Sequence, residues 1–129
     1  MPDFRILEHP ILPPGSDATV PFTWRGKEML ARQGETIASA LFANGVRVFG
    51  HHHKDGAPQG IFCANGQCAQ CSVIADGLSV KSCMVPVRAG MAVEPLEGKA
   101  SLPDVGENDL RFHGIETVET EVLILGGGP

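Results

Sequence analysis

Four cysteines carry the chemistry of this sequence. Cys63, Cys68 and Cys71 follow the spacing C-x4-C-x2-C, Cys83 completes the set, and no other cysteine occurs in the 129 residues. Thiols confined to so short a stretch read as a ligand set rather than as scattered core residues. The spacing is the plant-type pattern for a [2Fe–2S] cluster, in which four thiolates hold two irons. Two ferric ions, two sulfides and four thiolates leave a net charge of about −2, so the surrounding loop must aim N–H groups at the sulfurs. The residues between the cysteines suit that work: Ala64, Asn65, Gly66, Gln67, Ala69 and Gln70 bring no bulky or charged side chain. Their backbone is the expected cofactor-binding surface, and Gly66 and Asn65 tolerate the positive φ that a loop wrapped round a cluster requires.

Other uses of four thiols fit less well. All-cysteine zinc sites usually pair two C-x2-C knuckles, and only Cys68–Cys71 is one here. Disulfides belong to oxidising compartments, and nothing at the N-terminus reads as a signal peptide. A redox-active C-x-x-C would leave Cys63 and Cys83 without a role. Zinc remains the competing occupant, and visible colour separates the two.

Composition narrows the classes. A net charge of −5 at pH 7 argues against nucleic acid and against an anionic membrane surface. Tyrosine is absent and Trp24 stands alone, which leaves little for stacking on bases. No apolar run is long enough to span a bilayer, so a cytoplasmic protein without membrane insertion is expected. The 16 glycines and 10 prolines promise many turns and little helix.

The elements that must position the cysteines can be read in order. Residues 1–16, with Pro2, Pro10, Pro13 and Pro14, form an arm lying over the domain or free in solution. Ala18 to Trp24 alternates, with Val20, Phe22 and Trp24 on one face, and Pro21 points to an edge strand. Arg25-Gly26 turns the chain into a second strand, Lys27 to Arg32. Thr36 to Asn44 is the one helix, with Ile37, Ala40, Leu41 and Asn44 on one face and Gly45 ending it. Residues 47–60 read as irregular. They include His51-His52-His53, taken as a solvated run, because three consecutive imidazoles cannot converge on one ion without strain. Asp76-Gly77, between Ser72–Ala75 and Leu78–Lys81, is a type I′ hairpin signal that explains how Cys83 returns to the cluster. Met91 to Glu94 is the last strand, stopped by Pro95. The order β-β-α-loop-β-β-β with one crossing helix makes an α+β fold, the β-grasp, over residues 17–98.

Three runs then become specific: Thr36-Ile-Ala-Ser-Ala-Leu…Asn-Gly-Val, Gly60-Ile-Phe-Cys-Ala-Asn-Gly-Gln-Cys-Ala-Gln-Cys, and Cys83-Met-Val-Pro-Val-Arg-Ala-Gly-Met. Together they resemble the small [2Fe–2S] domain of the sarcosine oxidase α-subunit-like family, which includes opine oxidases, proline and hydroxyproline dehydrogenase complexes and hydrogen cyanide synthase. The resemblance implies an electron-transfer module that relays electrons to or from an FAD-dependent amine or amino-acid oxidoreductase, with FAD in a partner subunit or a longer parent chain. It also implies that Cys63 and Cys68 share one iron and that Cys71 and Cys83 share the other. No residue pattern marks a general acid, base or nucleophile, so substrate work falls to the flavin partner.

Residues 99–120 read as an acidic linker, with Asp104, Glu107, Asp109, Glu116 and Glu119, and His113 exposed within it. Glu121-Val-Leu-Ile-Leu-Gly-Gly-Gly-Pro129 is an apolar strand entering a glycine turn. In the related FAD proteins such a segment opens a Rossmann domain, whose G-x-G-x-x-G loop receives the pyrophosphate. Gly126 and Gly128 match its first two glycines, while the third glycine, the helix and the acidic ribose ligand are missing, so residues 121–129 alone are expected to bind nothing. A free-standing ferredoxin is the alternative, but it has no use for this tail.

Overall fold

The computed structural model describes residues 3–13, 15–100, 114 and 116–126. Two strands open the domain, β1 (Thr19–Trp24) and β2 (Lys27–Arg32), paired antiparallel from Thr19↔Arg32 to Trp24↔Lys27. Their turn residues, Arg25 and Gly26, both take positive φ, at 52° and 71°. The helix α1 (Ile37–Ala43) follows, then two short strands, β3 (Gly50–His51) and β4 (Pro58–Gln59). The cysteine loop leads into β5 (Ser72–Ala75), β6 (Leu78–Lys81) and finally β7 (Ala92–Glu97).

β7 is the strand the others meet. It runs parallel to β1 at Ala92–Val93, parallel to β3 at Leu96–Glu97 and antiparallel to β5 at Val93–Pro95. With a mixed sheet and one helix against it, this is the α+β, β-grasp architecture expected from the element order. The helix buries the stripe its spacing called for: Ile37, Ala40 and Leu41 are fully buried, with Ala38 beside them. They pack on Phe22 and Met29 of the first hairpin, Val73 of β5, and Met91 and Val93 around β7. Burying a side chain the size of Leu41 stabilises by about 1.5–3 kcal/mol, which is what holds a helix too short to stand alone.

Both ends of α1 are finished by hydrogen bonds. Thr36 is the N-cap, its Oγ1 accepting Ser39 N–H at 3.3 Å. At the other end Gly45 N–H donates to Phe42 O and Val46 N–H to Leu41 O, each at 2.9 Å, the paired bonds of a Schellman motif. Asn44 Nδ2 caps Ala40 O and reaches Leu30 O in β2, tying helix to hairpin.

Three expectations are corrected. Residues 47–60 are not wholly irregular: β3 and β4 lie within them, and β3 joins the sheet through β7. Gly50 makes that possible, since a Cβ there would overlap the Leu96 carbonyl oxygen. Pro95 does not stop the last strand, which continues to Glu97. Its missing donor falls between the β1 pairing, which ends at Val93, and the β3 pairing, which starts at Leu96. Pro21 does not mark an edge strand either. β1 lies between β2 and β7, but β7 pairing begins only at Thr23, and Pro21 offers Gly90 N–H its carbonyl at 2.9 Å.

The arm lies over the domain where it is described. Phe4 N–H donates to Ala43 O at 3.0 Å, and the Arg5 guanidinium holds both Glu35 oxygens at 2.7 Å. Arg47 stacks on the rings of Phe4 and Phe42. Among the described residues, no helix is long and apolar enough to cross a membrane. Of the linker and tail, Asp104, Glu107, Asp109, His113 and residues 127–129 lie outside the described residues.

Candidate metal centre

The type I′ turn stands at the tip of the second hairpin, with Asp76 at φ 49° and Gly77 at φ 84°. Its register pairs Ser72 with Lys81, so the residues following Cys71 and preceding Cys83 face each other across β5 and β6. The hairpin therefore brings the fourth cysteine back beside the third. Asp76 does a second job that its turn signal did not reveal. Its N–H donates to Ala92 O and its Oδ1 accepts Ala92 N–H, both at 2.8 Å, which fastens the turn to the start of β7.

Helix α1 holds the Cys83 segment directly. Ile37 N–H donates to Val85 O at 2.9 Å and Ala38 N–H to Ser82 O at 3.0 Å. These are orphan donors of a helix N-terminus, which needs partners from outside the helix. Here residues 82–85 supply them. Ser82 is fully buried, and its Oγ donates to Cys71 O at 2.6 Å while its N–H donates to the same oxygen at 3.2 Å. One residue thus couples the helix, the third cysteine and the fourth. Periodicity gave no sign of it, because a serine among Lys81 and Cys83 reads as an ordinary strand-end polar residue.

The loop from Cys63 to Cys71 winds through left-handed positions at Ala64 (φ 54°), Gly66 (φ 81°) and Ala69 (φ 57°). Asn65, though it tolerates such a φ, is not among them. Its Oδ1 instead accepts Gln67 N–H at 3.4 Å across a local turn. Two alanines held at positive φ cost of order 1–3 kcal/mol each, strain that the surrounding loop must hold. What the winding achieves is the aim of the amides: Cys68 N–H points to Cys63 Sγ at 3.4 Å and Gln70 N–H to Cys68 Sγ at 3.5 Å. Gly66 is also a packing position, since a Cβ there would come within 3.0 Å of the Met84 side chain. Lys81 Nζ closes the far side of the loop on Gly66 O at 2.5 Å.

The four cysteines lie along one loop and the hairpin end that returns to it. Cys71 is buried, and the other three are partly exposed. The Cys63 thiol is lowered to about 6 by Cys68 N–H first, then by Asn65 N–H and the neighbouring Cys68 thiol, with Gln67 N–H adding to them. Cys83 is pushed up, by burial first and then by the Cys71 thiol beside it, against the N–H of Gly66. The Cys68 thiol thus neighbours Cys63 and the Cys71 thiol neighbours Cys83, with Cys63 also near enough to act on Cys83. Among the described residues, no three His, Cys, Asp or Glu side chains gather as ligands of a single ion. The histidine run is engaged elsewhere: His51 Nδ1 lies 3.1 Å from Glu97, and His52 Nδ1 lies 2.7 Å from Asp55. Four soft thiol donors, with loop amides turned toward sulfur, fit a dinuclear iron–sulfur cluster.

Comparison with known proteins agrees. Residues 17–98 match the family model described as 2Fe-2S iron-sulfur cluster binding domain. The chain is 30% identical over 112 residues to sarcosine oxidase subunit alpha of Corynebacterium sp. (strain P-1), covering 81% of this chain and 11% of that one. It is 35% identical over 82 residues to hydrogen cyanide synthase subunit HcnA of Pseudomonas aeruginosa, covering 63% of this chain and 78% of that subunit. Among solved structures, L-proline dehydrogenase from P. horikoshii shares the fold, with a TM-score of 0.53 at 23% identity over 62% of this chain and 16% of that one. The chain therefore spans about a tenth of the sarcosine oxidase subunit and most of HcnA. On the match over residues 17–98, this chain belongs to the 2Fe-2S iron-sulfur cluster binding domain family.

Proposed function

We propose that the chain is an electron-transfer module or subunit of an FAD-dependent amine or amino-acid oxidoreductase. In this reading Cys63 and Cys68 hold one iron, and Cys71 and Cys83 hold the other. The observation that carries it is a loop whose amides face the Cys63 and Cys68 sulfurs, closed by the hairpin that returns Cys83 beside Cys71. When bound, the cluster supplies a one-electron couple. The protein's own contribution is to hold that couple rigidly. Helix α1 and Ser82 fix the Cys83 side, the Asp76-Gly77 hairpin sets its register, and Lys81 ties the loop to β6.

The relatives support a partner. Sarcosine oxidase subunit alpha is by name part of an oxidase of an amino acid, and HcnA is by name a subunit of a larger enzyme. That supports a flavin-bearing partner or parent chain, in the cytoplasm, as the source or sink of electrons. In this reading the chain carries electrons, and substrate oxidation belongs to that partner.

The test is made on the complex purified from the native cell through a tag on this chain. We expect bound FAD and a cluster that becomes reduced, by low-temperature EPR, when the amine substrate is added anaerobically. A Cys63→Ser complex should still bleach its flavin but leave no reduced cluster signal. Flavin reduction in the wild-type complex with a cluster that stays oxidised would overturn the relay.

A further inference from the structure

We propose that Lys81 is a positioning residue that raises the reduction potential of the cluster, by holding and polarising the Gly66–Gln67 peptide. This inference rests on the four-cysteine reading of the site above.

Lys81 ends β6, paired with Ser72 across the hairpin, so its backbone belongs to the sheet rather than to the loop. Its ammonium crosses to the loop and donates to Gly66 O at 2.5 Å. Among the described residues, no other lysine or arginine side chain hydrogen-bonds the backbone of residues 63–71. The Gly66 carbonyl and the Gln67 N–H are the two ends of one peptide group. That N–H donates to Asn65 Oδ1 at 3.4 Å, in the same turn whose next amide, Cys68 N–H, points to Cys63 Sγ at 3.4 Å.

Two effects follow, with the same sign. A cation on the oxygen of an amide polarises the whole group and makes its N–H more positive, here in the loop that turns its amides toward the ligand sulfurs. The ammonium is also a fixed positive charge beside a centre whose charge goes from about −2 to about −3 when one electron enters. Both favour the reduced state. The electron comes from an external donor, and no proton moves at Lys81. Because the ammonium is exposed, salt weakens its direct field while leaving the hydrogen bond in place.

The experiment compares wild type, Lys81→Met, Lys81→Gln and Lys81→Arg. Iron and sulfide are counted first, and then the midpoint potential is read spectroelectrochemically with soluble mediators at low and at high salt. At the wild-type midpoint, the reduced-to-oxidised ratio should fall about threefold in the Met and Gln variants, about 28 mV at 59 mV per tenfold. Lys81→Arg should stay close to wild type, and high salt should narrow the gap without closing it. Met and Gln variants with the wild-type midpoint would overturn the proposal, whether fully loaded or only partly loaded, because lost iron at an unchanged potential marks a purely structural residue. An Arg variant that falls as far as Met would overturn it too. A wild-type protein that holds no cluster would instead defeat the proposed function, and Lys81 with it.

Discussion

The carbonyl oxygen of Ser82 accepts the N–H of Ala38 at 3.0 Å, while the hydroxyl of the same serine donates to Cys71 O at 2.6 Å. The helix N-terminus is thereby locked to the strand end that delivers Cys83, and both are locked to Cys71. Ser82→Ala removes a fully buried donor but leaves the Ser82 carbonyl in place, so a loss of about 1 kcal/mol is expected. Ser82→Val leaves Cys71 O with one bond and adds bulk at a site with no exposure, and should cost more. Both variants should lose cluster faster than wild type under chelator, Val ahead of Ala, as followed by bleaching of visible absorption. Equal bleaching rates in all three proteins would show that Ser82 packs the site without positioning it.

The hairpin separates backbone from side-chain effects. Gly77 sits at φ 84° with nothing within 4 Å of a built Cβ, so a side chain there meets strain but no clash. Gly77→Val forces a β-branched residue into the left-handed region, while Ser79→Val places the same residue in β6. The first should lose iron and stability, and the second neither. Equal iron content in the two would mean that the turn does not set the register of Cys83.

Much of this was legible in advance because it depends on local patterns. Val20, Phe22 and Trp24 share a face by alternation, Ile37, Ala40 and Leu41 by helical spacing, and Asp76-Gly77 names its own turn. What the sequence hid is long-range and carried by backbone. Neither the bonds from Ile37 and Ala38 to residues 82–85 nor the reciprocal pair between Asp76 and Ala92 leaves a side-chain signature. Positive φ at Ala64 and Ala69 was invisible for a related reason: the loop, not the residue type, imposes it. Pro21 and Pro95 misled because a proline's cost depends on where its missing N–H points, which only the assembled sheet decides.

The arm is held by charge. Burial alone would raise the Glu35 carboxyl, but the Arg5 guanidinium and Arg32 N–H more than offset it and hold it below its ordinary range. A folded-state value below the unfolded one gives stability that is fully present above about pH 4.3 and is lost only as pH falls through the folded value. Chymotrypsin should therefore cut after Phe4 slowly and at the same relative rate at pH 6 and pH 8. Arg5→Ala should be cut faster at both. A wild-type arm that loosens between pH 8 and pH 6 would contradict this assignment.

Val122, Leu123, Ile124 and Leu125 are each more than two-thirds exposed. They form no strand, contrary to the sequence reading, but four consecutive exposed aliphatics make an adhesive segment able to pair with another chain. A variant ending at Gly98 should stay monomeric, by light scattering, at concentrations where residues 1–129 self-associate, with the same visible spectrum. Identical scattering from the two would show that the tail is not the sticky element.

The central claim is that Cys63, Cys68, Cys71 and Cys83 hold one [2Fe–2S] cluster, and iron and acid-labile sulfide counted on anaerobically purified protein test it most directly. The expected result is a red-brown protein with about two irons and two sulfides per chain, whose reduced form gives the EPR signal of a spin-half centre, and which any single Cys→Ser change at those four positions depletes. A colourless protein carrying one zinc per chain, or a Cys→Ser series that leaves the iron count unchanged, would contradict it.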